Sequence, residues 1–358
     1  MSSVLAVTAT YTDLSDSVTK ILDTYPLEVK DKTVLLKPNA LRGSYPEAHV
    51  TTHPALVREM RVQLERRGAR VLVGDNPGGG VRHRANRRVF ERTGLLEAAG
   101  DSYVNLSSEA RRVSTGSEIC PEVVVSSLVL EADLVISLPK FKTHGLTGLT
   151  GALKNSYGFL PGGQKGDIHV RAKTPHRFAV AVVDIFALRP PDLVVVDAVV
   201  GMQGDGPNTR DLIYIGQLLA GTDAVAVDAV MGHMMGIDPE MMVSVREASR
   251  CGLGEGALEI IDVRGEVLPL EGFRLPSRFR DGDPAALHQE RKGHASRYYP
   301  FIDGDLCDEC LTCVQECPAG ALTPGEGVPS VDKAACVACF CCQELCPRGA
   351  LLVREGEE

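Results

Sequence analysis

The first three-quarters of the chain alternates short apolar runs with amphipathic stretches. TVLLKPN (33–39) predicts a strand that leads into a loop, and ARVLVGDNPGGG (69–80) predicts a strand that ends in a flexible glycine-rich turn. Between them, HPALVREMRVQLERRG (53–68) has apolar residues at helical spacing and a glycine just past its end, which predicts a helix.

The same alternation continues to about residue 240. EADLVISLPK (131–140) and PPDLVVVDAVVG (190–201) are continuous apolar runs, as expected of strands covered on both faces. RFAVAVVDIFALR (177–189) and TDAVAVDAVMGHMMGI (222–237) favour helices. This order predicts an α/β fold with a mostly parallel sheet flanked by helices. Ligands bind at the carboxyl ends of strands in such folds, and the polar segments KPN, GDNPGGG, PKFKTH and DAVVGMQGDG all follow predicted strands.

The periodic pattern ends near residue 270. Residues 270–300 gain charge, proline and glycine, so we interpret them as a connector. The chain is therefore predicted to consist of an α/β ligand-binding domain (1–269), this connector (270–300) and a small C-terminal domain (301–358).

Composition and charge narrow the function. The chain has no Trp, only 5% aromatic residues and a net charge of -9, which argues against nucleic-acid binding. The N-terminus does not have the pattern of a secretory signal, and no apolar run approaches the roughly 20 residues that cross a bilayer. A cytoplasmic protein without a membrane span is expected, and cysteine clusters in that compartment bind metal more often than they form disulfides.

Nine of the 11 cysteines lie between residues 307 and 347. Eight of them form two copies of C-x2-C-x2-C-x3-C, each followed by proline. This is the spacing of bacterial two-cluster ferredoxins, in which the fourth cysteine of each run binds the other cluster. The sequence thus predicts two [4Fe–4S] clusters in a C-terminal α+β ferredoxin-like domain. The expected ligand sets are Cys307, Cys310, Cys313 and Cys346 for one cluster, and Cys336, Cys339, Cys342 and Cys317 for the other.

Two zinc sites and a disulfide knot are the alternatives, since thiolates also suit zinc. Zinc sites usually consist of separated cysteine pairs, so we favour iron–sulfur clusters, and two linked clusters favour an electron relay. Cys341 is left without a predicted role, and Cys120 and Cys251 are expected to be small core residues.

A basic stretch interrupts this acidic chain. Residues 139–177 contain five Lys, two Arg and three His against one acid, Asp167. Its many Gly, Thr and Asn residues supply amides and hydroxyls for an anion-binding nest, and LTGLTGALKN predicts a loop entering a helix, whose N-terminus favours an anion. We expect a phosphate, a carboxylate or a nucleotide-like cofactor here, with a structural loop as the alternative.

Weaker candidates lie at neighbouring strand ends. Lys37, Asn39, Thr51, Thr52 and His53 are expected near the same pocket, although Thr52 is equally suited to capping a helix. Three acids at strand ends are candidate ligand contacts, proton donors or metal ligands: Asp75, Asp197 and Asp205. His233 is expected in the core.

Several segments together resemble the iron–sulfur-centre family known as domain of unknown function 362: VLLKPN, TTHP, RVLVGD, ADLVISLPKFKTH, TGALKNSYGFLPGGQK, VVDAVVGMQGDGP and TDAVAVDAV. The family is similar, more remotely, to the N-terminal part of lactate racemase, which binds a nickel-carrying nucleotide through Lys and His. The resemblance implies a fold and a pairing of parts without a settled reaction. It places the family's motif positions, as candidate cofactor-binding residues, on Lys37, Asn39, Lys140, Lys142, His144, Lys154, Asn155, Lys165 and His169.

The leading hypothesis is a ferredoxin-type oxidoreductase that passes electrons through two clusters to an anionic substrate or additional organic cofactor. Lys142, His144 and Asp205 are the catalytic candidates. The expected partners are a redox protein and a small anionic ligand. The alternatives are a non-enzymatic electron carrier or docking protein, and a cofactor-binding module related to lactate racemase.

Overall fold

A computed structural model describes residues 1–78, 83–291 and 297–355. Gly79 and Gly80 of the predicted glycine-rich turn, and residues 292–296 of the predicted connector, lie outside the described residues. The helices are α1 Ser15–Thr24, α2 Pro54–Arg66, α3 His83–Arg92, α4 Leu95–Ala99, α5 Ser127–Glu131, α6 Gly151–Asn155, α7 Gln164–Arg171, α8 Pro175–Phe186, α9 Ala224–Met235, α10 Val243–Arg250, α11 Thr312–Gln315 and α12 Cys341–Leu345. The strands are β1 Ser3–Thr8, β2 Thr33–Pro38, β3 Arg70–Val73, β4 Ala110–Ser114, β5 Glu122–Ser126, β6 Leu134–Leu138, β7 Lys140–His144, β8 Gly148–Leu149, β9 Leu193–Met202, β10 Leu212–Gly221, β11 Asp262–Arg264, β12 Tyr298–Ile302, β13 Leu322–Thr323, β14 Ser330–Val331 and β15 Leu351–Glu355.

The main sheet has the order β11-β1-β10-β9-β6-β2-β3, and β7 also pairs with β9. Neighbouring strands are parallel except at β10, which is antiparallel to both β1 and β9, and at the two-residue β8, which is antiparallel to β7. The predicted α/β fold with a mostly parallel, helix-flanked sheet is therefore confirmed. The carboxyl ends of β2, β3, β6 and β9 meet at one edge, as parallel pairing requires.

The two faces of the sheet bury separate cores. In β2, Leu35 packs on one face while Val34 and Leu36 pack on the other, because successive side chains of a strand point to opposite sides. Helices α1 to α4 cover one face, and α6, α8, α9 and α10 cover the other. Burial on both faces explains why these strands are continuously apolar.

The predicted helices α8 and α9 begin at capping residues and bury apolar side chains. Thr174 caps α8 by accepting a hydrogen bond from the Arg177 amide at 3.1 Å, with Pro175 in the first turn. Asp223 caps α9, and Gly236 ends it in the left-handed conformation. Helix α9 is buried on nearly every face except at His233, which is half-buried. This helix separates the sheet from solvent-facing α10.

Three segments of the main sheet differ from the sequence-based interpretation. PKFKTH was expected to be a loop after a strand, but its last five residues form β7, and all five are buried. Lys140, Lys142 and His144 are tolerated there because each has a partner from another element, as described below. Strands β1 and β10 were not predicted.

The residues from 297 to 355, called the module below, form a separate small unit. Its ends pair as the antiparallel strands β12 and β15, and β13 pairs with β14. A small core containing Ile302, Leu322 and Leu351 includes cysteines from both runs. The division at residues 269 and 300 stays a prediction. Among the described residues, no helix has the length and apolar character needed to cross a membrane.

Candidate functional site

A cavity of about 240 Å³ lies between the carboxyl edge of the sheet and the module. Its walls include loops after β2 and β3, helices α6 and α7, and part of α12. Exposed Gly163 and Asp167 are among its lining residues, so it reaches the surface. The polar and sulfur-bearing residues that line it are Asn39, Asp75, Asn76, Lys154, Asn155, Tyr157, Lys165, Asp167, His169, Gln315, Glu316, Cys317, Cys341 and Glu344.

An ion pair supports one side of this cavity. Lys37 and Asp75, both buried, lie 2.7 Å apart (Nζ to Oδ1). Lys37 also donates to Asn155 Oδ1 at 3.1 Å, and the Ala40 amide donates to Asp75 Oδ2 at 2.8 Å. A Cβ on Gly158 would collide with both charged groups, so only glycine fits beside the pair. Burial lowers the pKa of Lys37, and Asp75 counteracts this.

Two further buried lysines lie behind the cavity wall. Lys142 donates to Asn39 Oδ1 and to the Val50 carbonyl, both at 2.8 Å, and burial lowers its pKa well below the ordinary value. Lys140 pairs with buried Asp197 at 2.9 Å and donates to the Tyr11 hydroxyl at 2.8 Å. These two lysines are not among the lining residues. Lys142 positions the lining residue Asn39, whereas Lys140 contacts Asp197 and Tyr11, neither of which lines the cavity.

The N-terminus of α6 was expected to offer its amides to an anion. The structure shows that a carboxylate of the chain already occupies them. Asp228 of α9, fully buried, accepts from the Ala152 amide at 2.6 Å and the Leu153 amide at 3.0 Å. Burial raises the pKa of Asp228 to about 7. The helix amides therefore stabilise an internal contact, and the basic groups of the cavity are left to bind a ligand.

Three basic residues of the predicted stretch do line the cavity: Lys154, Lys165 and His169. Lys165 contacts the carbonyls of Asn76 and Pro77, the latter at 3.2 Å, and burial lowers its pKa to about 7. Burial also lowers the pKa of His169 well below the ordinary value, so its ring is neutral at pH 7.

A histidine–glutamate contact joins the α/β part to the module beside the cavity. His144 Nε2 lies 3.1 Å from Glu344 Oε1, and the Leu146 amide donates to His144 Nδ1 at 3.1 Å. The second contact leaves the proton on Nε2, so a neutral His144 donates to the glutamate. Burial opposes ionisation of Glu344, but His144 and the charge of Lys154 together hold its pKa below the ordinary value.

Other contacts fix the module against the α/β part. Buried Asn208 donates to the carbonyls of Gln343 at 2.7 Å and Cys346 at 3.0 Å, and it accepts from Arg42 at 2.7 Å. Buried Arg291 donates to the carbonyls of His169 at 2.7 Å and Ala338 at 3.3 Å. The cavity is thus a defined space between two tightly held surfaces.

The two cysteine runs have matching backbones. Glu309 and Leu311 of the first run, and Ala338 and Phe340 of the second, are left-handed at corresponding positions. Gly320 and Gly349 have the same φ of 62° after each Cys-Pro. The amide three residues beyond each proline donates to the preceding cysteine: Ala321 to Cys317 Sγ at 3.3 Å and Ala350 to Cys346 Sγ at 3.2 Å. Amide donors to sulfur are typical of iron–sulfur sites.

The fourth cysteine of each run lies near the other run. Burial raises the pKa of Cys313 to about 11, and Cys346 adds to this rise. Burial likewise raises the pKa of Cys336, with contributions from Cys339 and Cys317. These proximities fit the crossed ligand sets.

Across the described ranges, no group of three or more His, Cys, Asp or Glu side chains is placed to hold a single metal ion. All 11 cysteines are free of disulfides.

Several candidates lie elsewhere. Asp205 is not among the lining residues, because its carboxylate accepts from the Ser277 amide at 2.6 Å and hydroxyl at 2.9 Å. Thr52 does not cap α2. His53 does so through Nδ1, and Thr52 links Leu138 to Asn39. Cys120 is buried, but the expectation for Cys251 was wrong because it is exposed.

Sequence reasoning missed Asp228, Glu344, Asn208 and Arg291. Asp228 gave a signal, since an acid inside the apolar run AVAVDAVM must find a partner when the helix is buried. Glu344 gave none, because only the folded chain brings it to a histidine 200 residues away.

Comparison with known proteins agrees with these features. The family model described as Domain of unknown function (DUF362) matches residues 34–233. The chain belongs to this family. A second model, described as a 4Fe-4S dicluster domain, matches residues 299–347, which bears out an iron–sulfur module at the C-terminus of this DUF362 protein.

A thylakoid-associated protein of Synechocystis sp. is 32% identical over 231 residues, which is 63% of this chain and 70% of the relative. A crystal structure of a Thermotoga maritima protein aligns with 67% of this chain and 59% of its own, at 12% identity and a TM-score of 0.39. The lactate racemase apoprotein from Thermoanaerobacterium thermosaccharolyticum aligns with 62% and 54%, at 14% identity and a TM-score of 0.39. This chain spans little more than half the length of each of these two structures.

Proposed function

We propose that this protein is an iron–sulfur reductase of the ferredoxin type. Two [4Fe–4S] clusters, bound by the crossed cysteine sets, supply electrons to an anionic substrate or cofactor held in the cavity. One observation carries the proposal: Cys317, a ligand in one of the sets, lines the same cavity as Lys154, Lys165 and His169. A ligand in that cavity lies directly beside a sulfur of the relay.

The residues of the chain would bind the ligand and supply protons. When bound, each cluster supplies one electron, and a two-electron reduction also takes up two protons. Lys154 binds the negative charge of the ligand. Lys165 Nζ holds a proton at the cavity wall, and its pKa near 7 suits proton donation at neutral pH. The neutral ring of His169 offers the ligand a hydrogen bond. Lys142 and His144 orient Asn39 and Glu344.

A redox protein is the expected electron donor. The net charge of -9 does not support nucleic acid as a partner, whereas Lys154 and Lys165 in the cavity support a small anion. A cytoplasmic location stays a prediction.

The first test is the metal content of protein purified without oxygen. Iron and sulfide analysis with native mass spectrometry should give about eight irons per chain. Half that number would contradict the two ligand sets.

The second test is electron delivery. Dithionite-reduced protein is mixed with small anionic acceptors (crotonate, pyruvate, FMN), and the visible absorbance of the clusters reports their oxidation. At least one acceptor should oxidise the wild type faster than Lys154→Gln, with Lys20→Gln, a matched change at an exposed lysine, behaving as wild type. Oxidation by cytochrome c alone, unchanged in Lys154→Gln, would support the carrier alternative and sink the reductase.

A further inference from the structure

Two groups in the cavity wall lack polar partners. Within the described part of the chain, the Lys154 ammonium makes no hydrogen bond or ion pair and lies over the rings of Tyr157 at 4.5 Å and Phe178 at 5.5 Å. His169 is 2% exposed, and its Nδ1 has no hydrogen-bond partner. Buried polar atoms are normally paired, so the buried His169 Nδ1, together with the unpartnered ammonium of half-buried Lys154, indicates a ligand that pairs with both.

Although the acids Asp75, Asp167, Glu316 and Glu344 also line the cavity, one cation of its wall is left to hold a negative charge on that ligand. Lys37 is neutralised by Asp75, and Lys165 contacts two backbone carbonyls. Glu344 accepts from His144 and does not contact Lys154 within hydrogen-bonding distance. Lys154 is therefore the lining cation that can still form an ion pair with a ligand, and a carboxylate is the simplest group that pairs with it.

The size of the cavity limits the rest of the ligand. A cavity of about 150 Å³ accommodates benzene, and drug-sized ligands occupy roughly 300–1,000 Å³. The volume here, about 240 Å³, suits one six-membered ring with a carboxylate, or a shorter chain. The rings of Tyr157 and His169, two lining residues whose centroids are 5.8 Å apart, give this part of the wall an aromatic surface.

We propose that the cavity binds a compact unsaturated monocarboxylate directly, with its carboxylate paired to Lys154 and to His169 Nδ1, and that it does not hold a flavin or nucleotide. This inference rests on the proposed function and names its substrate class. For a carbon–carbon double bond, reduction breaks one π bond and forms two C–H bonds. The two electrons come from the one-electron donor protein, or from dithionite in vitro, and two protons come from the cavity wall and solvent.

Calorimetric titration of the oxidised, iron-loaded protein tests the binding without any turnover. Benzoate and crotonate should bind, and benzyl alcohol, which matches benzoate without the charge, should not. Lys154→Gln should weaken benzoate binding about tenfold or more. Lys154→Arg keeps the charge and should retain most of the affinity, and Lys20→Gln should bind as wild type. Iron content and thermal unfolding confirm that each variant is folded.

The results separate this inference from the proposed function. Tighter, Lys154-dependent binding of FMN or AMP than of benzoate would overturn the monocarboxylate. So would equal binding of benzyl alcohol and benzoate. Benzoate binding without any oxidation of reduced clusters by unsaturated carboxylates would sink the reductase and leave the ligand class standing. Oxidation by FMN without carboxylate binding would sink this inference alone.

Discussion

The two cysteine runs share their spacing and backbone conformation, yet they occupy different surroundings. In the first run Cys310 is exposed and Cys307 is half-buried. In the second, Cys336, Cys339 and Cys342 are all buried. Arg291 and the carboxyl edge of the sheet enclose the second run. The spacing of the cysteines therefore determines what they can bind. Packing against the α/β part determines whether a cysteine run is exposed to solvent or enclosed beside the cavity.

The largest expected effect comes from breaking the enclosed run. Cys339→Ser should lower the free energy of unfolding by more than about 4 kcal/mol, because metal ligation at a buried site contributes directly to folding. Cys310→Ser should cost clearly less, since its surroundings already face water. Anaerobic urea unfolding with iron analysis makes the comparison. Equal losses in the two variants would show that enclosure does not matter.

Removing a contact that encloses the second run should have the next largest effect. Asn208→Ala leaves the carbonyls of Gln343 and Cys346 without their donor, so we expect a loss of about 2–4 kcal/mol. Arg210→Ala is the matched control. Among the residues that the structure describes, its exposed side chain donates only to the Arg348 carbonyl at 2.9 Å, and its removal should change stability by less than about 0.5 kcal/mol. A similar loss from both changes would contradict the role of Asn208.

Removal of iron by a chelator should show the same asymmetry as a rate. We expect two phases of about equal amplitude when ferricyanide and EDTA are added to the oxidised protein, with the exposed site losing iron first. Cys310→Ser should lack the fast phase. A single phase in the wild type would mean that solvent reaches both sites alike.

The smallest expected effect is on the pH dependence of the cavity. The pKa of Lys165 is lowered to about 7, so in the folded protein its ammonium is present below that pH and lost above it. Benzoate affinity should therefore fall as the pH rises through 7, by a few-fold because Lys154 remains the main contact. Calorimetry at pH 6 and pH 8 measures this difference. Lys165→Met should abolish it, and a fall that persists in the variant would assign it to another group.

The sequence predicted the elements whose pattern is local. Helix α2, helix α8 and strand β9 follow from apolar spacing, and the metal-binding cysteines follow from a short repeated motif. Strand β7 was missed because KFKTH is mainly polar, and its burial depends on partners such as Asp197 and Asn39 from distant segments.

The cavity was predicted only in part for the same reason. A basic stretch pointed to Lys154, Lys165 and His169, but the sequence did not show that the module closes over them. It also did not show that Asp228 accepts hydrogen bonds from the amides at the N-terminus of α6. Pairings between residues far apart in the chain leave no local pattern.

The enclosure of the second run also sets an order for making the protein. On the proposed ligand sets, a preformed cluster cannot pass between packed side chains to reach Cys339. The module must therefore receive its iron and sulfide before it closes on the sheet. That closure also completes the cavity. On this order of assembly, the ligand site would form only in molecules that already contain their clusters.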